Sequence, residues 1–325
     1  MLPKFTYVRP SSLSEALEHS RSDGAVLHAG GTDLLGCLRD GVFPAERVVA
    51  MSGLEELRGI SPTRDGGLRI GALTTLAEIA AHPLITERYA ALAQGAASAA
   101  SPQLRSQGSL GGNLCQRPRC WYFRSDFHCL RKGGAICYAI AGENQYHCIF
   151  GGDRCYIVHP SDTAPALVAL DARVRLASPS GTRLLPMESL FVLPSEDVRS
   201  ETVLQPGELL TEVLLPPPAA GQRSTYRKVR ARGAWAFALA GVAVALSGAD
   251  DRVEGARVVL SGVAPIPWRA VDAEELLTGG RLDAETISRA AAATVTGAQP
   301  MTRNGYKVEL VRGLTEETLQ TLALQ

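Results

Sequence analysis

Short apolar runs alternate with helical patterns over the first hundred residues of the chain. The runs at residues 25–28, 47–51 and 68–73 predict strands, and the spacing of apolar residues at 76–81 and 89–100 predicts helices. Ser12 and Glu15 have the spacing of a capping box, which would begin another short helix. The alternation therefore predicts mixed α and β structure in this part of the chain.

Regular patterns resume after a long irregular stretch. They return at residues 166–170 and 173–176, and residues 208–215 predict a strand. Three prolines at 216–218 follow it, which predicts two domains, 1–218 and 219–325. The second domain shows strand patterns at 225–229 and 256–263 and helical patterns at 273–277, 284–294 and 307–314. The apolar run at 234–246 is a buried helix or strand, and its period does not decide between them.

Composition and charge exclude several classes of protein. The 325 residues are enough for two or three domains. Basic and acidic residues number 33 each, and this balance argues against a nucleic-acid-binding protein. The N-terminus lacks a secretory pattern, and the longest apolar run has 13 residues, fewer than the ~20 that span a bilayer. We therefore expect a cytoplasmic protein with no membrane span and no nucleic-acid partner.

Two segments share a small-Gly-Gly-polar pattern. The first, Ala-Gly-Gly-Thr-Asp-Leu-Leu at 29–35, follows a predicted strand, and the second is Ser-Leu-Gly-Gly-Asn at 109–113. Paired glycines let backbone N–H groups approach an anion closely. Two such segments could hold the two halves of a pyrophosphate, although each could also be an ordinary tight turn. Neither has the spacing of a Rossmann dinucleotide site.

Six of the seven cysteines lie between Cys115 and Cys155, in a stretch without helical or strand period. A loop of this length inside a compact domain is usually functional or disordered. Structural zinc sites usually show close cysteine pairs, and only Cys115 and Cys120 come near that spacing. Disulfides are rare in the cytosol. Spacing alone leaves zinc and a four-thiolate iron–sulfur cluster open, and a neighbouring cofactor site favours the redox interpretation.

The ordered set of motifs resembles the FAD-binding subunits of molybdenum hydroxylases, the family that includes xanthine dehydrogenase and the CO dehydrogenase flavoprotein. The set comprises residues 29–34, 109–113 and Pro-Ser-Asp at 160–162, with similar segments at 70–75 and 226–230. The resemblance covers nearly the whole chain. It implies an α+β protein, with an FAD-binding domain of the PCMH or vanillyl-alcohol-oxidase type, built from two α/β subdomains, followed by a C-terminal α/β domain like that of the CO dehydrogenase flavoprotein.

The resemblance also implies roles for individual residues. Backbone N–H groups of two segments would hold the FAD phosphates and ribityl chain, namely Ala29, Gly30, Gly31, Thr32, Asp33, Leu34 and Leu35, and Ser109, Gly111, Gly112, Asn113 and Leu114. Asp162 would bind a cofactor hydroxyl, Lys228 would lie near the flavin ring, and Ser101 would sit against the cofactor at the end of its helix. Without the family pattern, Asp162 would be a helix N-cap and Lys228 a surface charge. His159 is expected to position backbone rather than to catalyse.

The segment at about 115–158 is an insertion, since most of the family runs from the second glycine segment to Pro-Ser-Asp within a few residues. It resembles the insertion of two branches, the β subunits of 4-hydroxybenzoyl-CoA reductases and a group of bacterial aldehyde oxidoreductases whose flavin subunit carries a [4Fe–4S] cluster. The resemblance implies that the cluster ligands are Cys120, Cys129, Cys137 and Cys155. It leaves out Cys115 and Cys148, and Cys37 is expected to be a small core residue.

The sequence as a whole resembles the 4-hydroxybenzoyl-CoA reductase branch most closely. That resemblance implies an electron relay from ferredoxin through the [4Fe–4S] cluster and FAD to the two [2Fe–2S] clusters of a small subunit. The electrons would end at the molybdenum site of a large subunit, where the substrate is reductively dehydroxylated to benzoyl-CoA, in a complex that is a dimer of heterotrimers. Two alternatives stay open. One is an aldehyde oxidoreductase of the same architecture with the opposite electron flow, and the other is a zinc-stapled assembly subunit without redox work.

Overall fold

A computed structural model describes residues 1–324 of the chain. The N-terminal part forms a parallel three-stranded sheet in the order β1-β3-β2, made of β1 (Thr6–Val8), β2 (Ala25–His28) and β3 (Arg47–Ala50). Two helices connect these strands, α1 (Leu13–Ser20) and α2 (Leu34–Arg39). Parallel neighbours require such crossover connections. The first glycine segment therefore lies at the carboxyl end of β2, where α2 begins.

The predicted capping box of α1 is only half formed. The Ser12 side chain accepts the backbone N–H of Glu15, but the Glu15 carboxylate binds Ser11 instead of closing back onto Ser12. The reciprocal box occurs at α3 (Leu76–Ala81), where both bonds between Thr75 and Glu78 are present. The sequence signature located the start of α1 correctly, while the orientation of the Glu15 side chain depended on its neighbours.

A second sheet is antiparallel and joins distant parts of the chain. Its order is β4-β5-β8-β6-β7, with β4 (Ile60–Pro62), β5 (Leu68–Gly71), β6 (Arg173–Ser178), β7 (Gly181–Pro186) and β8 (Leu209–Leu215). The helices beside it are α3, α4 (Pro83–Arg88), α5 (Ala90–Ser98), α6 (Pro102–Arg105), α7 (Leu110–Leu114) and α9 (Thr163–Ala169). Their apolar faces bury Ile79, Leu92 and Leu167 against the sheet. This core fixes the helices that carry the second glycine segment.

The cysteine-rich stretch is mostly irregular, as its lack of period predicts. It contains one short helix, α8 (Trp121–Arg124), and a single 3-10 turn at Leu130–Lys132. Gly133 ends that turn with φ +94°, a left-handed conformation that glycine adopts without strain. The stretch therefore depends on its tertiary contacts, more than on regular hydrogen bonding, for its shape.

The C-terminal sheet has the order β12-β11-β10-β9, with β9 (Arg223–Val229), β10 (Ala240–Ser247), β11 (Gly255–Ser261) and β12 (Trp268–Arg269). Strand β10 accounts for residues 240–246 of the unassigned apolar run, because it pairs on both edges and is buried on both faces. The expectation of a buried element is wrong for residues 234–239, which lie in no helix or strand and include the exposed Trp235 and Phe237. Three helices follow, α10 (Val271–Leu277), α11 (Ala284–Ala293) and α12 (Tyr306–Ala323). Helix α12 is longer than predicted because Thr315 and Thr318 occupy buried positions that an apolar pattern does not detect.

The C-terminal sheet packs directly on the first part of the chain. Tyr226, Ala243 and Val259 belong to the same apolar core as residues of α3, α5 and α9. A second core lies between the other face of this sheet and α10–α12, where Val242, Val244 and Leu319 are buried. The predicted domain boundary at 216–218 thus falls between β8 and β9, in a chain whose two parts share one core.

Candidate functional site

The first glycine segment makes a tight turn and a close contact. Gly31 has φ +70°, a conformation that L side chains rarely adopt. A Cβ atom on Gly30 would lie 1.8 Å from the carbonyl oxygen of Gln107. Glycine is therefore required at both positions, since Gly31 supplies the turn and Gly30 allows the chain before the second segment to approach.

The second segment begins a helix and is not the ordinary tight turn that its pattern left open. Ser109 is the N-cap of α7, and its Oγ accepts the N–H of Gly112 at 3.3 Å. A Cβ on Gly111 would lie 3.1 Å from the Cβ of Ala72, so this position also favours glycine. Pattern alone did not predict this helix, because two adjacent glycines are typical of turns and the helix has only five residues.

Both segments line one cleft of about 650 Å³, which we call the glycine cleft. Its volume lies within the ~300–1,000 Å³ that is usual for cofactor sites. A second cavity of about 520 Å³, the aspartate cavity, adjoins it through Gly31, Thr32 and Ser109. Predicted cofactor residues line one or both, namely Ala29, Gly30, Gly31, Thr32, Asp33, Leu34, Leu35, Ser109, Gly111, Gly112, Asn113 and Asp162. The fold thus brings two segments that are far apart in sequence to one continuous space.

Three predicted cofactor residues lie outside this space. Within residues 1–324, Ser101, Leu114 and Lys228 are not part of the lining of either cavity. Ser101 is the N-cap of α6 and accepts the N–H of Leu104 at 3.4 Å. Leu114 is fully buried at the end of α7. Any effect of these residues on a cofactor would be exerted through their neighbours.

Asp162 and Lys228 form a buried ion pair. The Lys228 Nζ lies 2.8 Å from Asp162 Oδ2, and the side chains are only 3% and 5% exposed. The Tyr226 hydroxyl donates to the other carboxylate oxygen at 2.8 Å. Burial and the Asp162 charge raise the pKa of Tyr226 well above its usual value, so this hydroxyl stays a donor. Asp162 does occupy the N-cap position of α9, as its simpler interpretation has it, but its side chain makes no capping hydrogen bond. The interpretation of Lys228 as a surface charge is wrong.

Sequence reasoning missed three arginines beside the first glycine segment. The Asp33 carboxylate pairs with Arg119 at 2.9 Å and Arg124 at 2.7 Å, and it accepts the backbone N–H of Arg117 at 2.7 Å. All three come from the cysteine-rich insertion. The abundance of arginine there was visible in the sequence, but only the fold shows that the arginines bind the glycine segment. These contacts tie the insertion to the glycine cleft.

His159 holds two chain segments together, in agreement with the positioning role predicted for it. Its Nε2 lies 3.2 Å from the Leu114 carbonyl oxygen, and its Nδ1 accepts the Ser161 N–H at 3.4 Å. These partners assign the proton to Nε2, which donates to Leu114. Burial lowers the pKa of His159 to about 4, so the ring is neutral near pH 7.

Four thiols of the insertion surround one small cavity of about 10 Å³, the thiol cavity. They are the predicted ligands Cys120, Cys129, Cys137 and Cys155. Burial raises the pKa of Cys120 to about 11. The Cys137 thiol donates a hydrogen bond to Cys155, which lowers the pKa of Cys155 and raises that of Cys137. The four thiols that the family resemblance implied therefore line one cavity, and their role as cluster ligands stays a prediction.

The remaining cysteines lie elsewhere. Cys37 and Cys115 border the glycine cleft. Cys37 is fully buried, as expected of a small core residue, and burial raises its pKa to about 11. Cys148 is buried outside the lining of the thiol cavity, and burial raises its pKa to about 12.

The geometry does not establish a metal site. Among the described residues, no group of three or more His, Cys, Asp or Glu side chains could hold a metal ion. The thiol cavity admits about one water-sized probe, so a four-iron cluster would require the thiol side chains to turn outward. The donor chemistry nevertheless suits a cluster, because four thiols share one cavity whose wall also contains the buried Arg131 guanidinium. The cluster therefore stays a prediction.

None of the helices in the described part of the chain is long and apolar enough to cross a bilayer.

The chain matches two protein families over most of its length. Residues 3–218 match the family described as the FAD binding domain in molybdopterin dehydrogenase. Residues 224–322 match the CO dehydrogenase flavoprotein C-terminal domain. The aldehyde oxidoreductase FAD-binding subunit PaoB of Escherichia coli is 38% identical over 316 residues, which cover 95% of each chain. The carbon monoxide dehydrogenase medium chain of Hydrogenophaga pseudoflava is 27% identical and covers 92% of this chain and 88% of its own length.

Solved structures share this fold. Carbon monoxide dehydrogenase from Hydrogenophaga pseudoflava, in a form lacking the Mo-pyranopterin moiety, superposes with a TM-score of 0.77 at 26% identity, covering 98% of this chain and 97% of its own. Quinoline 2-oxidoreductase from Pseudomonas putida has a TM-score of 0.77 at 23% identity, covering 100% and 98%. These superpositions confirm the α+β fold expected from the sequence, with its FAD-binding and C-terminal domains.

Proposed function

Because the chain belongs to the family of FAD-binding subunits of molybdopterin dehydrogenases, we propose that it is the FAD-binding, electron-transferring subunit of a molybdenum-dependent aldehyde oxidoreductase. The observation that carries the proposal is the meeting of both glycine segments at one 650 Å³ cleft. The 38% identity to an aldehyde oxidoreductase subunit favours the aldehyde branch. A large molybdenum subunit and a small subunit with two [2Fe–2S] clusters would complete the enzyme.

Backbone groups of the glycine cleft would bind the FAD phosphates. Gly30 and Gly31 lack side chains on one wall, as do Gly111 and Gly112 on the other, so main-chain N–H groups can approach an anion closely. The arginines paired with Asp33 hold the first segment in place. Bound FAD supplies a store for two electrons that it can release one at a time.

Asp162 would bind a polar group of the cofactor from the wall of the aspartate cavity. Lys228 supports this role indirectly, since its ammonium contacts Asp162 and the Ser98 carbonyl. These contacts give Lys228 the role of holding the Asp162 carboxylate in its orientation. This differs from direct contact between Lys228 and the flavin ring.

The thiol cavity would hold a [4Fe–4S] cluster through Cys120, Cys129, Cys137 and Cys155. Such a cluster supplies a one-electron carrier. Arg119 contributes to the lining of the aspartate cavity, and Cys120, which lines the thiol cavity, directly follows it in the chain. This adjacency supports electron transfer between the proposed cluster and the proposed flavin. A zinc ion in the same thiols would instead be purely structural.

Metal and flavin analysis of the full chain, purified without oxygen, tests these assignments. We expect flavin absorption bands and about four irons per chain. Cys120→Ser and Cys137→Ser should lose the iron signal in EPR, whereas Cys148→Ser is the matched control and should keep it. Zinc at one per chain without flavin would refute the redox assignment, and iron that survives both ligand substitutions would refute the ligand set.

The organic substrate requires a separate test. None of the relatives named above is a 4-hydroxybenzoyl-CoA reductase, and that assignment, with ferredoxin as electron donor, stays a prediction. The complex assembled with its partner subunits should oxidise aromatic aldehydes. Reductive dehydroxylation of 4-hydroxybenzoyl-CoA, without aldehyde oxidation, would refute the aldehyde proposal and support assignment to a 4-hydroxybenzoyl-CoA reductase.

A further inference from the structure

Arg131 is a buried cation with unused hydrogen-bond donors. Its side chain is 1% exposed and contributes to the wall of the thiol cavity. One nitrogen, Nη1, donates to Glu201 Oε1 at 2.5 Å. Nε and Nη2 are buried without a partner among the described residues. Unpaired buried donors on a charged group are costly, so an acceptor at this place would stabilise the fold.

Glu201 connects this arginine to the glycine cleft. Its carboxylate is 6% exposed and lies between two guanidinium groups, Arg131 on Oε1 and Arg117 at 2.8 Å from Oε2. Arg117 in turn donates its backbone N–H to Asp33 of the first glycine segment. A continuous series of buried or half-buried charges therefore runs from the thiol cavity to the cofactor cleft.

We propose that Arg131 is a positioning residue of the thiol site, which donates hydrogen bonds from its two unpartnered nitrogens, Nε and Nη2, to ligand sulfur atoms and raises the reduction potential of the bound cluster, with Glu201 moderating that effect. The inference rests on the proposed function, since it requires a cluster in the thiol cavity. Hydrogen bonds to sulfur and nearby positive charge both stabilise the more negative, reduced state. The Arg131 guanidinium would also offset part of the negative charge of four thiolates. Among the described residues, no other Lys or Arg lines that cavity.

Opposite substitutions should move the potential in opposite directions. Arg131→Gln removes the cation, so the reduced cluster loses stabilisation and the midpoint potential falls. Glu201→Gln removes the anion that balances Arg131, so the potential rises. We expect each change to alter the ratio of reduced to oxidised cluster at a fixed potential by at least tenfold, which is about 59 mV for a one-electron couple. Arg131→Lys should shift it less than Arg131→Gln, because the charge is retained.

Redox titration of the full chain, followed by EPR, measures these shifts, and iron content is measured alongside. Lys132→Gln is the matched control, since it removes the same charge from the next residue, whose ammonium binds the Ser125 carbonyl at the surface. Solvent screens that charge, so we expect less than a threefold change.

The outcomes separate this inference from the assignment beneath it. A wild-type chain without iron would overturn the cluster and Arg131's role together. A wild-type chain with iron whose potential is unchanged in Arg131→Gln and Glu201→Gln, or shifts in the same direction in both, would overturn only the role of Arg131. If Arg131→Gln alone loses iron, the midpoint potentials of Arg131→Lys and Glu201→Gln test the role of Arg131 in its place. Iron loss in all three would show that the residues are merely structural.

Discussion

Replacing Asp162 with asparagine tests the buried ion pair at the centre of the site. The substitution keeps the size of the side chain but leaves the Lys228 ammonium, 3% exposed, without its counter-charge. At the observed 2.8 Å, and with an effective dielectric constant of about 20, the pair attracts by about 6 kcal/mol before desolvation is subtracted. Breaking such a pair from one side costs about 3–5 kcal/mol. We therefore expect Asp162→Asn to reduce the free energy of unfolding by that amount.

Urea unfolding of the flavin-free chain is the appropriate assay, because bound FAD would add its own stabilisation by mass action. Asp251→Asn is the matched control, since Asp251 pairs with Arg281 on the surface, where both side chains are 49% and 73% exposed. That change should cost less than about 1 kcal/mol. If Asp162→Asn costs no more than Asp251→Asn, the buried pair stabilises the fold no more than a surface pair does. With FAD added, Asp162→Asn should also bind the cofactor more weakly than the control.

Two further predictions concern the first glycine segment and the buried histidine. Gly30→Ala should lose bound FAD and destabilise the chain by about 1–3 kcal/mol, because its Cβ would clash with the Gln107 carbonyl. The control is Gly313→Ala on helix α12, where the new Cβ meets open space and the change should be neutral or stabilising. Equal FAD content in the two variants would contradict the steric argument. Burial lowers the pKa of His159 from 6.5 to about 4. Between pH 6.5 and pH 4 the unfolded chain therefore binds a proton at this ring that the folded chain does not bind, so the free energy of unfolding falls as the pH falls. Between pH 7 and 5 this single group should cost about 2 kcal/mol, and His159→Gln should lose correspondingly less stability over that interval when unfolding is measured at both pH values. An unchanged pH dependence in His159→Gln would show that this ring does not stay neutral in the fold.

The sequence predicted elements well where local pattern and packing agree. Helix α3 has the predicted bounds, and β8, β9 and β11 lie within a few residues of theirs, because their apolar periods match the faces they bury. Strand β7 was missed because its residues are exposed or half-buried, which removes the apolar signal. Helix α12 was predicted too short, since buried threonines interrupt its apolar stripe. Pattern reasoning therefore failed where burial and polarity do not coincide.

For the candidate site, the sequence likewise indicated some features and not others. The glycine segments, Asp162 and the four predicted ligand cysteines were selected by order and spacing through family resemblance. The fold places the glycine segments and Asp162 at two adjoining cavities and the four thiols at a third. The partners of these residues were not visible in the sequence. Arg119 and Arg124 lie more than eighty positions from Asp33, and Glu201 lies 70 positions from Arg131. Local composition does not predict which arginine will form an ion pair with which carboxylate.

The sequence by itself determined the family, the two glycine segments and the concentration of thiols in one insertion, because these features consist of residue types in a fixed order. Only the tertiary structure decided that Lys228 is buried on Asp162 instead of facing solvent, that Cys148 does not line the thiol cavity, and that Arg131 does. The physical reason is that burial and pairing are set by long-range packing. A charge becomes a buried partner only when strands and loops distant in sequence close around it.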